Sequence, residues 1–213
     1  MTTDTVTLTL DGQSVSARAG ETLWELALRH GTELPHLCHR PEVGYAPDGN
    51  CRACVVEIDG ERTLTASCCR QATEGMTVST GSPRAEAARR LVMELLVADQ
   101  PPPDRAHDRV SPLWRFAGEM GVTGSRFPAR HDTDPHRAPD LTHPAMAVNL
   151  DACIACGLCA RACRDVQAND VIGMGWRGDH HAPVFDLADP MGSSTCVACG
   201  ECVQACPTGA LMP

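Results

Sequence analysis

Two stretches near the C-terminus decide the reading: Cys153-Ile-Ala-Cys156-Gly-Leu-Cys159-Ala-Arg-Ala-Cys163, and Cys196-Val-Ala-Cys199-Gly-Glu-Cys202-Val-Gln-Ala-Cys206-Pro207. Both follow the spacing C-x2-C-x2-C-x3-C, and the second ends in proline. This is the ligand pattern for two [4Fe–4S] clusters, in which the fourth Cys of each run serves the other cluster. Three closely spaced thiolates grip three corners of a cube, and the fourth corner must come from elsewhere. The two runs therefore have to fold around each other. Cys153, Cys156, Cys159 and Cys206 form the first expected set; Cys163, Cys196, Cys199 and Cys202 form the second. Structural zinc also uses CxxC pairs, but it needs only two of them.

The other cysteines are Cys38, Cys51, Cys54, Cys68 and Cys69. Cys51-Arg52-Ala53-Cys54 is a tight pair, with Cys38 upstream and Cys68 downstream. An outlying Cys, a tight pair and a distant fourth resemble the plant-type [2Fe–2S] layout, with a longer first loop. That loop holds Gly44, Pro47 and Gly49, which lets backbone N–H groups turn toward sulfur. Cys38, Cys51, Cys54 and Cys68 are the expected ligands. Cys69 is left over. Strand alternation puts it on the opposite face from Cys68, as a small buried hydrophobe. His30, His36 and His39 flank this site and could ligate a Rieske-type centre. With four Cys available, supporting or surface roles are the expectation. His107, His131, His136 and His143 lack ligand spacing, and His180-His181 sits in a polar turn.

The surrounding pattern is that of an α+β protein. Val6, Leu8 and Leu10 alternate with threonines, Asp11-Gly12 is a hairpin turn, and Val15 and Ala17 lie on the return strand. Thr22 and Glu25 form a capping box for a helix that Gly31 closes. A second hairpin runs from Val55–Ile58 through Asp59-Gly60 to residues 62–66, and Met76-Thr77-Val78 is the last strand. Two strands, a helix and further strands is the order of a β-grasp fold. A helix spans residues 82–98, with Ser82 as cap and Pro83 at its first position. Its expected packing stripe is Leu91 and Leu95, with Val92 and Leu96 beside them. Residues 99–148 are irregular and proline-rich, with a short helix from Pro112 to Met120. The domain reading is a β-grasp [2Fe–2S] ferredoxin domain at 1–80, a helix and linker at 81–144, and a bacterial-type two-[4Fe–4S] ferredoxin domain at 145–213.

Composition narrows the class of function. The 213 residues carry a net charge of −9 and only 3% aromatics. An acidic chain is no nucleic-acid binder, and no apolar run reaches the ~20 residues of a membrane span. Twelve of thirteen cysteines at metal spacing, behind an N-terminus without signal-peptide character, point to reduced thiols in the cytoplasm. No Gly-rich nucleotide loop and no catalytic base or nucleophile is legible. The expected role is single-electron transfer, with catalysis left to a partner.

Three blocks resemble a known family: Leu34-Pro35-His36-Leu37-Cys38, Gly49-Asn50-Cys51-Arg52-Ala53-Cys54-Val55-Val56-Glu57 and Ala66-Ser67-Cys68. They are similar to the N-terminal ferredoxin domain of the NADH-dehydrogenase iron–sulfur subunit, the diaphorase subunit of NAD-reducing hydrogenases and the alpha subunit of NAD-dependent molybdenum formate dehydrogenases. Cys159 to Gln167, Asn169 to Gly173 and residues 195–213 are closest to the last. The resemblance implies a partnership with a molybdopterin-containing catalytic subunit and a flavin/NAD-binding subunit. The alternatives are an NAD-reducing hydrogenase complex, a free-standing soluble ferredoxin and, least favoured, an iron–sulfur sensor. Two departures stand out. The family's His-x3-Cys-x2-Cys-x5-Cys site between the modules has no counterpart in Ala98-Asp99-Gln100-Pro101-Pro102-Pro103-Asp104-Arg105, so that extra cluster is expected to be absent. The large molybdopterin domain is likewise expected on a separate polypeptide or outside this protein.

Overall fold

The computed structural model describes residues 5–128 and 138–213, so His131 and His136 lie outside the described residues. The chain divides into two compact units. The first comprises Met1–Pro41 and Pro47–Val92; the second comprises Glu42–Ala46 and Met93–Pro213.

The first unit is a β-grasp. Strand β1 (Thr5–Leu10) pairs antiparallel with β2 (Gln13–Arg18), with Leu10 opposite Gln13. The two-residue turn between them has positive φ at both Asp11 (49°) and Gly12 (81°). That is the mirror-type turn whose twist matches the strands. β3 (Val55–Ile58), β4 (Thr65–Ala66) and β5 (Thr77–Ser79) complete a sheet of order β2-β1-β5-β3-β4, in which β5 runs parallel to β1. Helix α1 (Leu23–Arg29) lies on its apolar face. Its start is the expected capping box: Glu25 N–H donates to Thr22 Oγ1 at 3.2 Å, and Thr22 N–H donates to Glu25 Oε2 at 2.8 Å. Leu23, Trp24, Leu26 and Ala27 of α1 pack with Leu8, Leu10, Val15, Val56, Ile58 and Val78. Each fully buried large side chain of this kind contributes roughly 1.5–3 kcal/mol.

Helix α2 (Pro83–Ala98) begins as expected, with Ala85 N–H donating to Ser82 Oγ at 3.1 Å. Its buried stripe differs from the expected one. Leu91 and Leu95 are 39% and 46% exposed, whereas Ala85, Arg89, Met93 and Val97 are buried. These four are spaced by four residues and share one face. The stripe is hidden in sequence because a charged residue occupies its second position. The Arg89 guanidinium donates to the Val55 and Thr80 carbonyls at 2.9 and 2.7 Å, which satisfies strand-end oxygens within the first unit.

In the second unit, α3 (Pro112–Glu119) is capped by Ser111 and buries Leu113, Phe116 and Ala117. Two small antiparallel ladders follow. β6 (Ala147–Val148) pairs with β9 (Leu211–Met212), and β7 (Ile172–Gly175) pairs with β8 (Ala182–Phe185). Between them lie two short helices, α4 (Leu158–Arg161) and α5 (Glu201–Ala205). A π-helical turn, Ala162–Val166, extends α4. No helix among the described residues is long and apolar enough to cross a membrane.

Candidate iron–sulfur sites

In the first unit, Cys38 follows α1, Cys51 and Cys54 flank a tight turn before β3, and Cys68 follows β4. The turn requires left-handed backbone at Arg52, with φ 59°. It is anchored at Cys54, whose carbonyl accepts from Ser67 Oγ at 2.7 Å, and the Ser67 carbonyl accepts from Trp24 N–H at 3.1 Å. Cys38, Cys54 and Cys68 are buried, and Cys51 is half-buried. Cys51 N–H donates to Cys38 Sγ at 3.4 Å. The Cys38 thiol is held far below its ordinary range by thiol donors Cys51 and Cys68, then by backbone N–H groups of Cys51 and Asn50. Cys54 is lowered to about 6, chiefly by the Cys68 thiol. Cys51 is raised by its contact with Cys38, and Cys68 by its contacts with Cys38 and Cys54. The four sulfurs thus form one connected group. Four thiols gathered in this way are a donor set whose chemistry suits an iron–sulfur cluster.

Cys69 departs from expectation. It is exposed, and its sulfur lies 3.7 Å from Cys68 Sγ. The alternation argument fails because β4 ends at Ala66 and residues 67–69 form a turn. A Cβ at Gly49 would sit 2.8 Å from the Cys69 sulfur, so the glycine makes room for this thiol. His36 and His39 pack edge-on against Trp24, with ring centroids 4.6 and 4.8 Å away.

In the second unit the internal repeat becomes a geometric repeat. Ala155 and Ala198 are both left-handed, at φ 51° and 58°, and so are Gly157 and Gly200, at 73° and 77°. Each run therefore makes the same two reversals. Backbone N–H groups point at sulfur in both: Ala155 to Cys153 at 3.3 Å, Ala198 to Cys196 at 3.4 Å and Val171 to Cys163 at 3.3 Å. Such donors stabilise thiolate and added electron density on a cluster.

The crossing of the two runs is visible. Cys153, Cys156 and Cys159 line one small cavity together with Cys206, closed by Leu150, Ile154, Met174 and Leu211. Burial raises the Cys159 thiol well above its ordinary range, followed by the charges of Cys156, Cys153 and Cys206, with Cys202 a smaller contributor. Burial likewise pushes Cys202 up to about 12, followed by the charges of Cys196, Cys199 and Cys163. Cys206 thus shares a cavity with the first run, and Cys163 is among the groups that act on Cys202. Both shifts disfavour the free thiolate at Cys159 and Cys202, the form in which a thiol ligates metal. Among the described residues no group of three or more His, Cys, Asp or Glu is set to grip a single metal ion; the first unit's contacts run in series, Cys51 to Cys38 to Cys68 to Cys54. Cys199 is exposed, so the Cys196 run lies nearer the surface than buried Cys156.

Two further residues carry the second unit without a sequence signal as clear as the cysteines. Tyr45 donates to Glu201 Oε1 at 2.8 Å, and Arg161, only 4% exposed, reaches backbone carbonyls around the first run.

Folds and thiol sets of this kind define a ferredoxin-type electron-transfer protein. The chain matches the 2Fe-2S iron-sulfur cluster binding domain family over residues 3–83 and the 4Fe-4S dicluster domain family over residues 152–210. It is 34% identical to "Putative formate dehydrogenase YrhE" of Bacillus subtilis, over 100% of this chain and 22% of that protein. It is 31% identical to the mitochondrial NADH-ubiquinone oxidoreductase 78 kDa subunit of Neurospora crassa, over 82% of this chain and 23% of that one. A chain in the crystal structure of an H2-reduced NAD+-reducing [NiFe]-hydrogenase superposes with a TM-score of 0.86 at 32% identity, covering 97% of this chain and 86% of that chain. The chain belongs to the iron–sulfur electron-transfer family shared by these oxidoreductases. It spans less than a quarter of the length of the two curated relatives, YrhE and the 78 kDa subunit.

Proposed function

We propose that the protein relays single electrons through one [2Fe–2S] cluster and two [4Fe–4S] clusters in a cytoplasmic, NAD-linked formate dehydrogenase complex. The observation that carries the three-cluster reading is the cavity shared by Cys153, Cys156, Cys159 and Cys206, since one thiol from the second run completes the first. Cys163 with Cys196, Cys199 and Cys202 would hold the second cube, and Cys38, Cys51, Cys54 and Cys68 the two-iron cluster. We place these in modules at 1–80 and 145–213, joined by 81–144. The clusters would supply one-electron chemistry; the chain would hold them through these thiols and aim backbone N–H donors at the ligand sulfurs.

The formate assignment rests on the full-length match to YrhE. A molybdopterin-containing subunit would then deliver electrons and a flavin subunit would pass them to NAD+. The hydrogenase reading is favoured by a different observation, the coverage of 86% of the hydrogenase chain. Affinity purification from the native cell, with mass spectrometry and a formate:NAD+ assay, separates the two. Co-purification with a molybdopterin subunit and formate-dependent NADH formation supports the first. Hydrogenase subunits with hydrogen-dependent reduction support the second. A lone chain that accepts electrons from unrelated reductases defines a free-standing ferredoxin.

A further inference from the structure

The loop between Cys38 and Cys51 contains a segment that folds elsewhere. Glu42–Ala46 is part of the second compact unit, while the residues up to Pro41 and from Pro47 onward belong to the first. Within it, Val43 is 98% exposed but Tyr45 only 6%. A buried tyrosine needs a partner for its hydroxyl, and the partner shows what the segment does.

The Tyr45 hydroxyl donates to Glu201 Oε1 at 2.8 Å. Glu201 opens α5 and immediately precedes Cys202. Its other oxygen, Oε2, accepts a long bond from the Gln167 side-chain amide at 3.5 Å, and Gln167 directly follows the π-helical turn that carries Cys163. One carboxylate thus ties the turn of Cys163 to the helix of Cys202. Gly44, with φ 99°, brings its backbone against the same turn: a Cβ there would lie 3.1 Å from Val166 Cγ2. The Ala46 carbonyl accepts from Arg161, which also donates to the Cys156 carbonyl at 3.1 Å. Gly44, Tyr45 and Ala46 therefore address both cysteine runs.

We propose that Glu42–Ala46 is a strap of the four-iron domain, in which Tyr45 is a positioning residue that acts through Glu201 to hold the Cys163 turn beside the Cys202 helix. Those two cysteines come from different runs and are assigned to one cluster, so the geometry of that cluster depends on how the runs are tied. A hydrogen bond to an ionised acceptor is stronger and more directional than a neutral one, and a carboxylate shared by two donors restrains both. The ends of the loop carry ligands of the two-iron site, yet damage to its middle should fall on a four-iron site. This rests on the assignment of Cys163, Cys196, Cys199 and Cys202 to one cluster, and the test separates the two.

The full chain is purified anaerobically and challenged with a ferrous-iron chelator, and EPR of dithionite-reduced samples follows the decay of each cluster. The variants are Tyr45→Phe, which removes only the hydroxyl, Glu201→Gln, the two combined, and Val43→Ala as a control on the same strap. Cys163→Ala identifies the four-iron signal in question. In Tyr45→Phe that signal should decay roughly tenfold faster, the scale set by a lost hydrogen bond to a charged group, while the two-iron and the other four-iron signals keep their native rates. The combined variant should decay no faster than Glu201→Gln alone, because Tyr45 acts through that carboxylate. Val43→Ala should match the unmutated chain. A ring that served packing alone would leave Tyr45→Phe at the native rate, since phenylalanine keeps the ring, and that result overturns the proposal. So does faster decay of the two-iron signal or of the other four-iron signal in its place, or a combined variant faster than Glu201→Gln. If Cys163→Ala spares both four-iron signals, the ligand assignment fails and the proposal with it; if it removes one that Tyr45→Phe leaves at its native rate, only the strap fails.

Discussion

The sulfur of Cys69 lies 3.7 Å from the sulfur of Cys68, yet Cys68 is fully buried and Cys69 faces solvent. Adjacent thiols in a turn can approach the same site from different depths. Burial, not strand alternation, therefore distinguishes the proposed ligand Cys68 from Cys69. Cys68→Ser is expected to abolish the [2Fe–2S] EPR signal of the dithionite-reduced protein, and Cys69→Ser to leave it intact. The opposite pattern would reassign the ligand to Cys69.

Twelve thiols in three sets call for about ten irons and ten acid-labile sulfides per chain, from one two-iron and two four-iron clusters. Metal and sulfide analysis of anaerobically purified protein measures both. Stoichiometric zinc without visible charge-transfer absorption would sink the three-cluster reading.

The crossed runs make a paired prediction. Because Cys206 shares a cavity with Cys153, Cys156 and Cys159, Cys206→Ala should weaken the cluster of the first run. Cys163→Ala should weaken that of the second, whose Cys202 it influences. Each single variant should lose iron from one cube while the two-iron signal persists. If each mutation instead emptied the cluster of its own run, as cluster-resolved spectra would show, the crossing would be wrong.

Glu21 supplies a pH dependence. The Arg29 guanidinium, 2.8 Å away, holds this nearly buried carboxyl below its ordinary value of 4.5. A lowered folded-state pKa stabilises the fold above the unfolded value and loses that contribution as pH falls through the folded one. Glu21→Gln should therefore cost about 1 kcal/mol at pH 7. The difference from wild type should shrink as pH drops below 4.5. Denaturant midpoints at pH 7 and pH 3.5 measure it; a constant difference would assign the effect to packing.

The two cluster-binding families were legible before the fold. Metal ligation restricts both residue type and spacing, because three thiolates on one short segment must reach three corners of one cube. The strands of the first unit were legible for a similar reason: alternation of Val6, Leu8 and Leu10, with Asp11-Gly12 and the Thr22–Glu25 box, is local physics. None of these features needs a distant partner to be recognised.

Tertiary structure alone decided the rest. The buried stripe of α2 is Ala85, Arg89, Met93 and Val97, and no hydrophobicity pattern admits an arginine until Val55 and Thr80 carbonyls are in place to receive it. Cys69 lies beside Cys68 because the strand ends at Ala66 and Gly49 leaves space for the sulfur. Arg161 and Gln204 occupy equivalent places in the two runs, yet only Arg161 is enclosed. Local sequence determined the cysteine spacing and the strand and helix starts, since these depend on neighbours a few residues away. The depth of each side chain depends on groups remote in the chain, and only the folded protein brings those together.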